Sequence, residues 1–305
     1  MKMPTDVARD LTHLLAGFAS RIRDLVPGVV DELCDSCNGL SDQVGDIEWR
    51  NVITPVIRQH ELWTLCQEDP YTRRAWSKPR GYAGDAEMLD YVYFQQPPTE
   101  TSIVGVHVFH GTTGSSNGRS VRHRRQVVAD EIDRVTKDVP SARITAIASG
   151  HLREVELSGA IKNRMFGQFI ALDQDEASLA RIPHPITPMR GSVKDILGGQ
   201  LQIRNQNLVY TTGLFDYLRN NVAEQLIACM CEMLEPGGVL LVGNFEPRHH
   251  GRCYMDAFMD WRLVGRDQGD LEQLCNHAKL RHQFVTQTFR DPFGNVAYLR
   301  ATMQS

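Results

Sequence analysis

From residue 140 onward the chain alternates short apolar runs with helical patterns, and that alternation limits its fold more than any other feature. Ile144–Ala148 is the first run, and Phe169–Leu172 is the second, ending at Asp173. A third lies near 186–190, Asn207–Thr211 is the fourth, and Val239–Gly243 follows Pro236-Gly237-Gly238 as the fifth. The spacing predicts helices after the first and third runs and a clear amphipathic helix over Val222–Leu234. Strands in this alternation form a parallel sheet covered by helices on both faces. The last segment breaks the rhythm. HQFVTQTF (282–289) and NVAYLRATM (295–303) alternate apolar and polar residues around Asp291-Pro292-Phe293-Gly294, which predicts an antiparallel hairpin. The expected fold is therefore a doubly wound α/β sheet over 141–305, closed by that hairpin.

Everything before about residue 140 looks helical, so 1–140 is expected as a helical cap. Val7, Leu11, Leu14, Leu15, Phe18, Ile22 and Leu25 fall at helical spacing, and Pro27-Gly28 ends that helix. Further helices are predicted over 29–38, 47–67, 86–94 and 119–137, the last stopped by Pro140. Residues 70–85 hold too much Pro, Gly and Arg to be helical throughout, and Asp85 would cap the helix that follows. GTTGSSNG (111–118) reads as a mobile small-residue loop.

The bulk numbers exclude several classes. Of the 305 residues, 42% are hydrophobic and 23% charged, which is the composition of a soluble globular protein. The net charge of −4 leaves no footprint for nucleic acid or an anionic membrane. Arg119, Arg122, Arg124 and Arg125 with His123 make one basic helix, but it stands alone in an acidic chain. No run approaches the roughly 20 apolar residues of a membrane span. MKMPTDVARDLTHLL is not the pattern of a signal peptide. Seven scattered cysteines suit a reducing cytoplasm, and Cys34 and Cys37 lack the second pair that a metal site needs. No metal is expected. His107 and His110 are expected to serve packing or the surface.

The chemistry concentrates in RITAIASGHLREVELSGAI (143–161). In open α/β sheets ligands sit beyond the carboxyl ends of the strands, and a dinucleotide-binding turn there would read G-x-G-x-x-G. This turn has Gly150 alone. Asp173, at the end of the second run, is placed to accept both ribose hydroxyls of an adenosine. S-adenosylmethionine is an adenosine ligand without a pyrophosphate. Its amino-acid end needs one close glycine, carbonyls and N–H groups. Ala148, Ser149 and Gly150 are expected along that end, with Glu154 holding the loop or meeting the ammonium. Gln174 follows Asp173, Ser192 and Val193 are expected beside the adenine, and Thr211 and Gly213 complete the cofactor set. Arg122 or Arg125 is expected to turn inward onto a carboxylate of the cofactor or the methyl acceptor. Asp216 and Tyr217 after the fourth run, and His249 and His250 after the fifth, are the candidate catalytic groups. Adjacent histidines rarely converge on a metal.

GYAGDAEMLD (81–90), VRHRR (121–125), ASGHLRE (148–154) and GLFDYL (213–218), in this order, resemble motifs of a bacterial family. Its members are class I S-adenosylmethionine-dependent methyltransferases, often called extracellular-factor or 3-hydroxypalmitate methyl ester biosynthesis proteins. The resemblance covers about 70–305 and includes LEPGGVLLVGNF before the hairpin. It implies a Rossmann-like methyltransferase sheet and a small-molecule acceptor, with carboxyl methylation of a 3-hydroxy fatty acid foremost. It also makes 78–85 a lid that brings Tyr82 to the methionine end; GTTGSSNG, a small-residue loop poorly fixed by its own sequence, is expected as a second lid element. Two departures are His151, where the family has proline, and the length of GTTGSSNG. O- or N-methylation of a specialised metabolite therefore stays open, as do a nicotinamide-dependent oxidoreductase and a non-catalytic sensor. The last two are disfavoured by the single glycine and the final hairpin, or await a turnover test. A monomer or homodimer is expected, without nucleic-acid or membrane partners.

Overall fold

The structure, a computed structural model, describes residues 5–304, with side chains from Asp10 onward, so Val7's side chain lies outside the described ones. The chain separates into two compact units. One comprises residues 1–121 with 248–262, and the other residues 122–247 with 263–305. The composition boundary at 140/141 differs from this division for two physical reasons. The Ser116–Asp138 helix is continuous, but beyond residue 121 its side chains engage the sheet unit. Glu131 accepts from Arg300 Nε at 2.9 Å, and Asp133 accepts from the amides of Gly159 and Ala160. The chain also leaves the sheet unit after Pro247 and returns at Leu263.

The helical unit contains the predicted helices and also Pro70–Ser77 and Ile103–Gly114. Thr5–Arg23, Val29–Val44, Pro70–Ser77 and Ala86–Phe94 are helical, and 46–66 is a broken run with one π-turn at Trp49–Ile53. Asp85 caps the last of these through Met88 N at 2.8 Å and pairs with Arg74. Into the unit comes Arg252–Met259, a helix buried at every position from Cys253 to Met259. Trp49 Nε1 donates to Asp256 at 3.1 Å within the same unit.

GTTGSSNG is not a loop. Ile103–Gly114 is helical, and a new helix begins at Ser116 after one turn residue. The hydroxyls that suggested mobility bond locally instead. Thr113 Oγ1 donates to Phe109 O and Ser115 Oγ to Thr112 O, each at 2.7 Å. The glycines serve close approach. A Cβ on Gly118 would lie 2.0 Å from Thr113 O, and one on Gly111 would lie 2.5 Å from Val30. A lid element made of mobile loop is therefore excluded here.

The sheet unit carries seven strands in the order β3-β2-β1-β4-β5-β7-β6. They are β1 (Arg143–Ile147), β2 (Gln168–Asp173), β3 (Thr187–Arg190), β4 (Gln206–Thr211), β5 (Leu234–Phe245), β6 (Phe284–Arg290) and β7 (Val296–Met303). The first five are parallel, and β7 runs antiparallel between β5 and β6. This is the Rossmann-like α/β sheet with a terminal hairpin that the sequence predicts. One core face packs Ile147, Leu172, Val209 and Leu240 against Leu226, Ile227 and Met230 of the Asn220–Cys231 helix. No full helix follows β1; a 3-10 turn at Arg153–Glu156 and a short helix at Gly159–Lys162 replace it. The strand order reverses between β1 and β4, and Ala146 pairs with Tyr210 there. That switch point is where such sheets place ligands.

Candidate functional site

β1 ends at Ile147 and the chain turns at once. Ala148, Gly150 and Leu152 have φ values of 52°, 54° and 53°. For Ala148 and Leu152, which carry a Cβ, that region costs on the order of 1 kcal/mol each, so surrounding bonds must hold the turn. Ser149 N donates to Leu172 O at 3.1 Å, and Gly150 N donates to Asp173 Oδ2 at 2.8 Å. Asp175 N donates to the other carboxylate oxygen at 2.9 Å, and Gly191 N to the Asp173 carbonyl at 3.0 Å. Asp173 is thus the knot joining the exits of β1, β2 and β3. Each of its carboxylate oxygens still has capacity to accept a hydroxyl.

Glu154 accepts from the Tyr210 hydroxyl at 2.7 Å. Burial raises its carboxyl above the ordinary range, against the pull of Tyr210 and the neighbouring Arg124 and Arg125. Of the two roles predicted for Glu154, this bond is the loop-holding one. Ser192 closes a capping box with Asp195, which opens the short helix starting at Val193. Gln174 is exposed beside Asp173.

Two hydroxyls at this end of the sheet are unlike the rest. Ser149 Oγ and Thr211 Oγ1 are buried and have no hydrogen-bond partner among the described residues. A buried hydroxyl left unbonded costs about 1–3 kcal/mol. They leave the adjacent strands β1 and β4, and a polar ligand laid across the switch point would give both a partner. The residues present fit the amino-acid and ribose parts of S-adenosylmethionine.

The guanidinium turned inward from the basic helix is Arg124, only 7% exposed, while Arg122 and Arg125 are half-buried. Arg124 Nη1 donates to Thr212 O at 2.6 Å. A Cβ on Gly213 would lie 3.1 Å from that nitrogen, so the glycine gives the guanidinium its room. The sequence pattern could not separate neighbours on one helix, and Arg125, whose Nε is also buried, acts on Glu154 beside it.

Asp216 is buried and accepts from Phe245 N at 2.6 Å. Burial pushes its carboxyl up to about 6, although the Phe245 amide, Arg124 and Arg266 pull the other way. Tyr217 beside it is 41% exposed. His249 and His250 belong to the helical unit, because β5 ends at Phe245 and the chain departs at Arg248. His249 is buried with its Nδ1 3.0 Å from Asn117 Nδ2. Asn117 Oδ1 accepts from Gly251 N, so Nδ2 is the donor and Nδ1 the acceptor. Burial, with Arg252 and His250 nearby, pushes His249 down to about 3. His250 lies 3.3 Å from Asp35. Tyr82, half-buried, also belongs to the helical unit, in the coil before Asp85. The other cofactor candidates, from Arg122 to Gly213, all lie in the sheet unit. Among the described residues no cluster could hold a metal, and no helix is long and apolar enough to cross a membrane.

Sequence reasoning passed over Arg266 as well as Arg124. It is 2% exposed and sits in WRLVGRDQGD, where no motif or periodicity marks it.

No family model and no curated protein matches the chain. Among solved structures, a possible exported protein from Bordetella parapertussis aligns over 100% of both chains, at 16% identity and a TM-score of 0.63. Magnesium protoporphyrin IX methyltransferase from Synechocystis with bound SAH aligns over 62% of this chain and 87% of its own, at 13% identity and a TM-score of 0.44. A putative sarcosine dimethylglycine methyltransferase from Galdieria sulphuraria aligns over 62% and 88%, at 12% identity and the same score. The first likeness establishes a shared fold. The other two, at 0.44, carry no argument about activity.

Proposed function

We propose that this chain is an S-adenosylmethionine-dependent methyltransferase acting on the carboxylate of a small molecule, such as a 3-hydroxy fatty acid. The observation that carries the cofactor is the single-glycine turn after β1, knotted to Asp173 and flanked by two buried hydroxyls that lack partners. Asp173 would take the ribose hydroxyls, Ser149, Gly150 and Thr211 the amino-acid end, and Ser192 and Val193 the adenine edge. Arg124, through its inward guanidinium, would pair with a carboxylate. When bound, the cofactor supplies a methyl group on a sulfonium. What the chain must then do is align the acceptor and exclude water.

The state of two of the candidate bases supports a carboxylate acceptor. A hydroxyl or amine acceptor at neutral pH usually needs a general base within hydrogen-bond reach. Glu154 accepts from the Tyr210 hydroxyl and burial pushes His249 down to about 3, which leaves Asp216 and His250 as the candidate bases that speak for a hydroxyl or amine instead. A carboxylate acceptor needs no base, only a donor or cation that orients it. Tyr217 and the arginines 122, 124 and 125 are of that kind. The four-motif resemblance adds the 3-hydroxy acyl chain.

Calorimetry with S-adenosylmethionine, S-adenosylhomocysteine and NAD tests the cofactor; binding of NAD alone would overturn it in favour of an oxidoreductase. Free 3-hydroxy acids of graded chain length, assayed beside amine and phenol acceptors with methyl ester followed by mass, test the acceptor. Turnover confined to amines or phenols would sink the carboxylate and keep the methyltransferase. Cofactor binding without turnover of any acceptor would instead indicate a sensor.

A further inference from the structure

The loop after β4, 212–219, carries Asp216 and Tyr217 and contains only one short turn, Phe215–Tyr217. What fixes it is a side chain from far along the sequence. Arg266 Nη1 donates to Phe215 O at 2.8 Å and to Asn244 Oδ1 at 3.0 Å. Its Nη2 donates to Leu218 O at 2.6 Å and to Asn220 Oδ1 at 2.7 Å, and its Nε to Asn220 Oδ1 at 3.2 Å. A guanidinium has five N–H donors, so every one is used, and every one meets a neutral oxygen. The nearby carboxylate, Asp216, bonds to Phe245 N instead.

The two carbonyls taken, Phe215 O and Leu218 O, bracket Asp216 and Tyr217. The backbone around Arg266 is tied into the same place. Val264 N donates to Asp216 O at 2.7 Å, Arg266 N to Phe245 O at 2.8 Å, and Asn244 Nδ2 to Val264 O at 2.9 Å. A cation buried in this way, with no carboxylate bonded to it, is an expensive means of bracing a loop. A hydrophobic residue would fill the volume but could not span two carbonyls. The expense makes sense if the loop must be held to a fraction of an ångström.

We propose that Arg266 is a positioning residue that sets the acceptor side of the site, by fixing the 215–218 turn so that Tyr217 is presented in one orientation to the acceptor. This rests on the methyltransferase reading for the identity of the acceptor, but the brace itself does not. All five donors of Arg266 are taken by protein oxygens. It acts through the two carbonyls, so its loss separates the two halves of the site: the turn after β1 and the Asp173 knot keep their own bonds. Lysine cannot replace it, because a single ammonium cannot span both carbonyls with a planar fork.

The test uses the full chain with Arg266→Lys, Arg266→Met and the milder Asn220→Ala, which removes one acceptor and leaves the guanidinium. In each folded variant, hydrogen exchange of amides 214–219 should rise at least tenfold, with 148–152 unchanged. Calorimetric affinity for S-adenosylhomocysteine should stay within about threefold. With 3-hydroxydecanoate as the probe acceptor, KM should rise and kcat fall by tenfold or more in Arg266→Lys, and by less in Asn220→Ala. Unchanged exchange in 214–219 overturns the brace. Exchange or cofactor affinity that fails equally on both sides overturns the positioning role and makes Arg266 a general stabiliser. If the wild type does not turn over any acceptor, the functional reading falls, and the exchange arm still decides the brace.

Discussion

The loops after β1 and after β4 leave neighbouring strands at the same end of one sheet, yet they are stabilised in opposite ways. The first is short and conformationally strained, anchored through Gly150 N to Asp173, with the buried hydroxyl of Ser149 unmet. The second is braced throughout, with Asp216 on Phe245 N and Arg266 on both flanking carbonyls. A strained backbone and orphaned polar groups persist only when something else is gained, and a ligand is the ordinary compensation. A fully bonded brace gains nothing from a ligand. The difference puts the strain on the β1 side and the brace on the β4 side, while an unmet hydroxyl, Ser149 or Thr211, stands at the end of each strand.

The largest effect should come from Asp173→Ala. It removes the acceptor for Gly150 N and the proposed ribose contact together, each a charge-assisted bond of about 1.5–3 kcal/mol. S-adenosylhomocysteine affinity should fall roughly 30-fold or more in calorimetry, while exchange in 214–219 stays put. An unchanged affinity in the folded variant would remove the ligand from the β1 side. Next comes Arg124→Met. If Arg124 holds the amino-acid carboxylate, S-adenosylhomocysteine should bind about tenfold more weakly, and methylthioadenosine, which lacks that group, should bind as before. Equal losses for both ligands would mean that Arg124 serves Thr212 and the fold alone.

A third, smaller effect lies in pH. The Asp216 carboxyl is raised to about 6 by burial, so the fold favours its protonated form. The stability it contributes is complete below the ordinary carboxylate pKa near 4 and is lost as pH climbs through about 6. Asp216→Asn keeps an acceptor for Phe245 N and cannot titrate. The Tm of the wild type relative to this variant should therefore drop by on the order of 5 °C between pH 4 and 6.5, then stay level. A constant difference across that range would show that Asp216 is not burying a charge. The smallest effect belongs to Thr211→Val. Removing a hydroxyl that the unliganded fold leaves unbonded should cost no stability, or add up to about 1 kcal/mol, and should weaken S-adenosylhomocysteine about threefold. Lower stability with unchanged affinity would reassign that hydroxyl to the fold.

The parallel α/β sheet and its terminal hairpin were legible because each rests on a local pattern: apolar runs between helices, and period-two alternation. What the sequence hid was the partner each side chain takes. GTTGSSNG has the composition of a loop, and nothing in it tells that its hydroxyls would bond to carbonyls three and four residues back. Arg124 is buried beside Gly213 and bonded to Thr212 O, neighbours far along the chain that the helix pattern cannot name. Arg266 has no motif at all, since its partners are backbone oxygens that any sequence possesses. His249 and His250 follow a strand of the sheet unit in sequence but fold with the helical one.

That last feature bears on how the protein is made. The helical unit needs the Arg252–Met259 helix, buried from Cys253 to Met259, to complete its interior. On the ribosome, residues 1–121 emerge first and must wait for five strands of the other unit to be synthesised, roughly ten seconds at ordinary elongation rates. Through that interval the residues that pack against Tyr254, Phe258 and Met259 lack those partners. The helical unit is completed only by a segment made after β5, and a truncation before Arg252 would leave it without that helix.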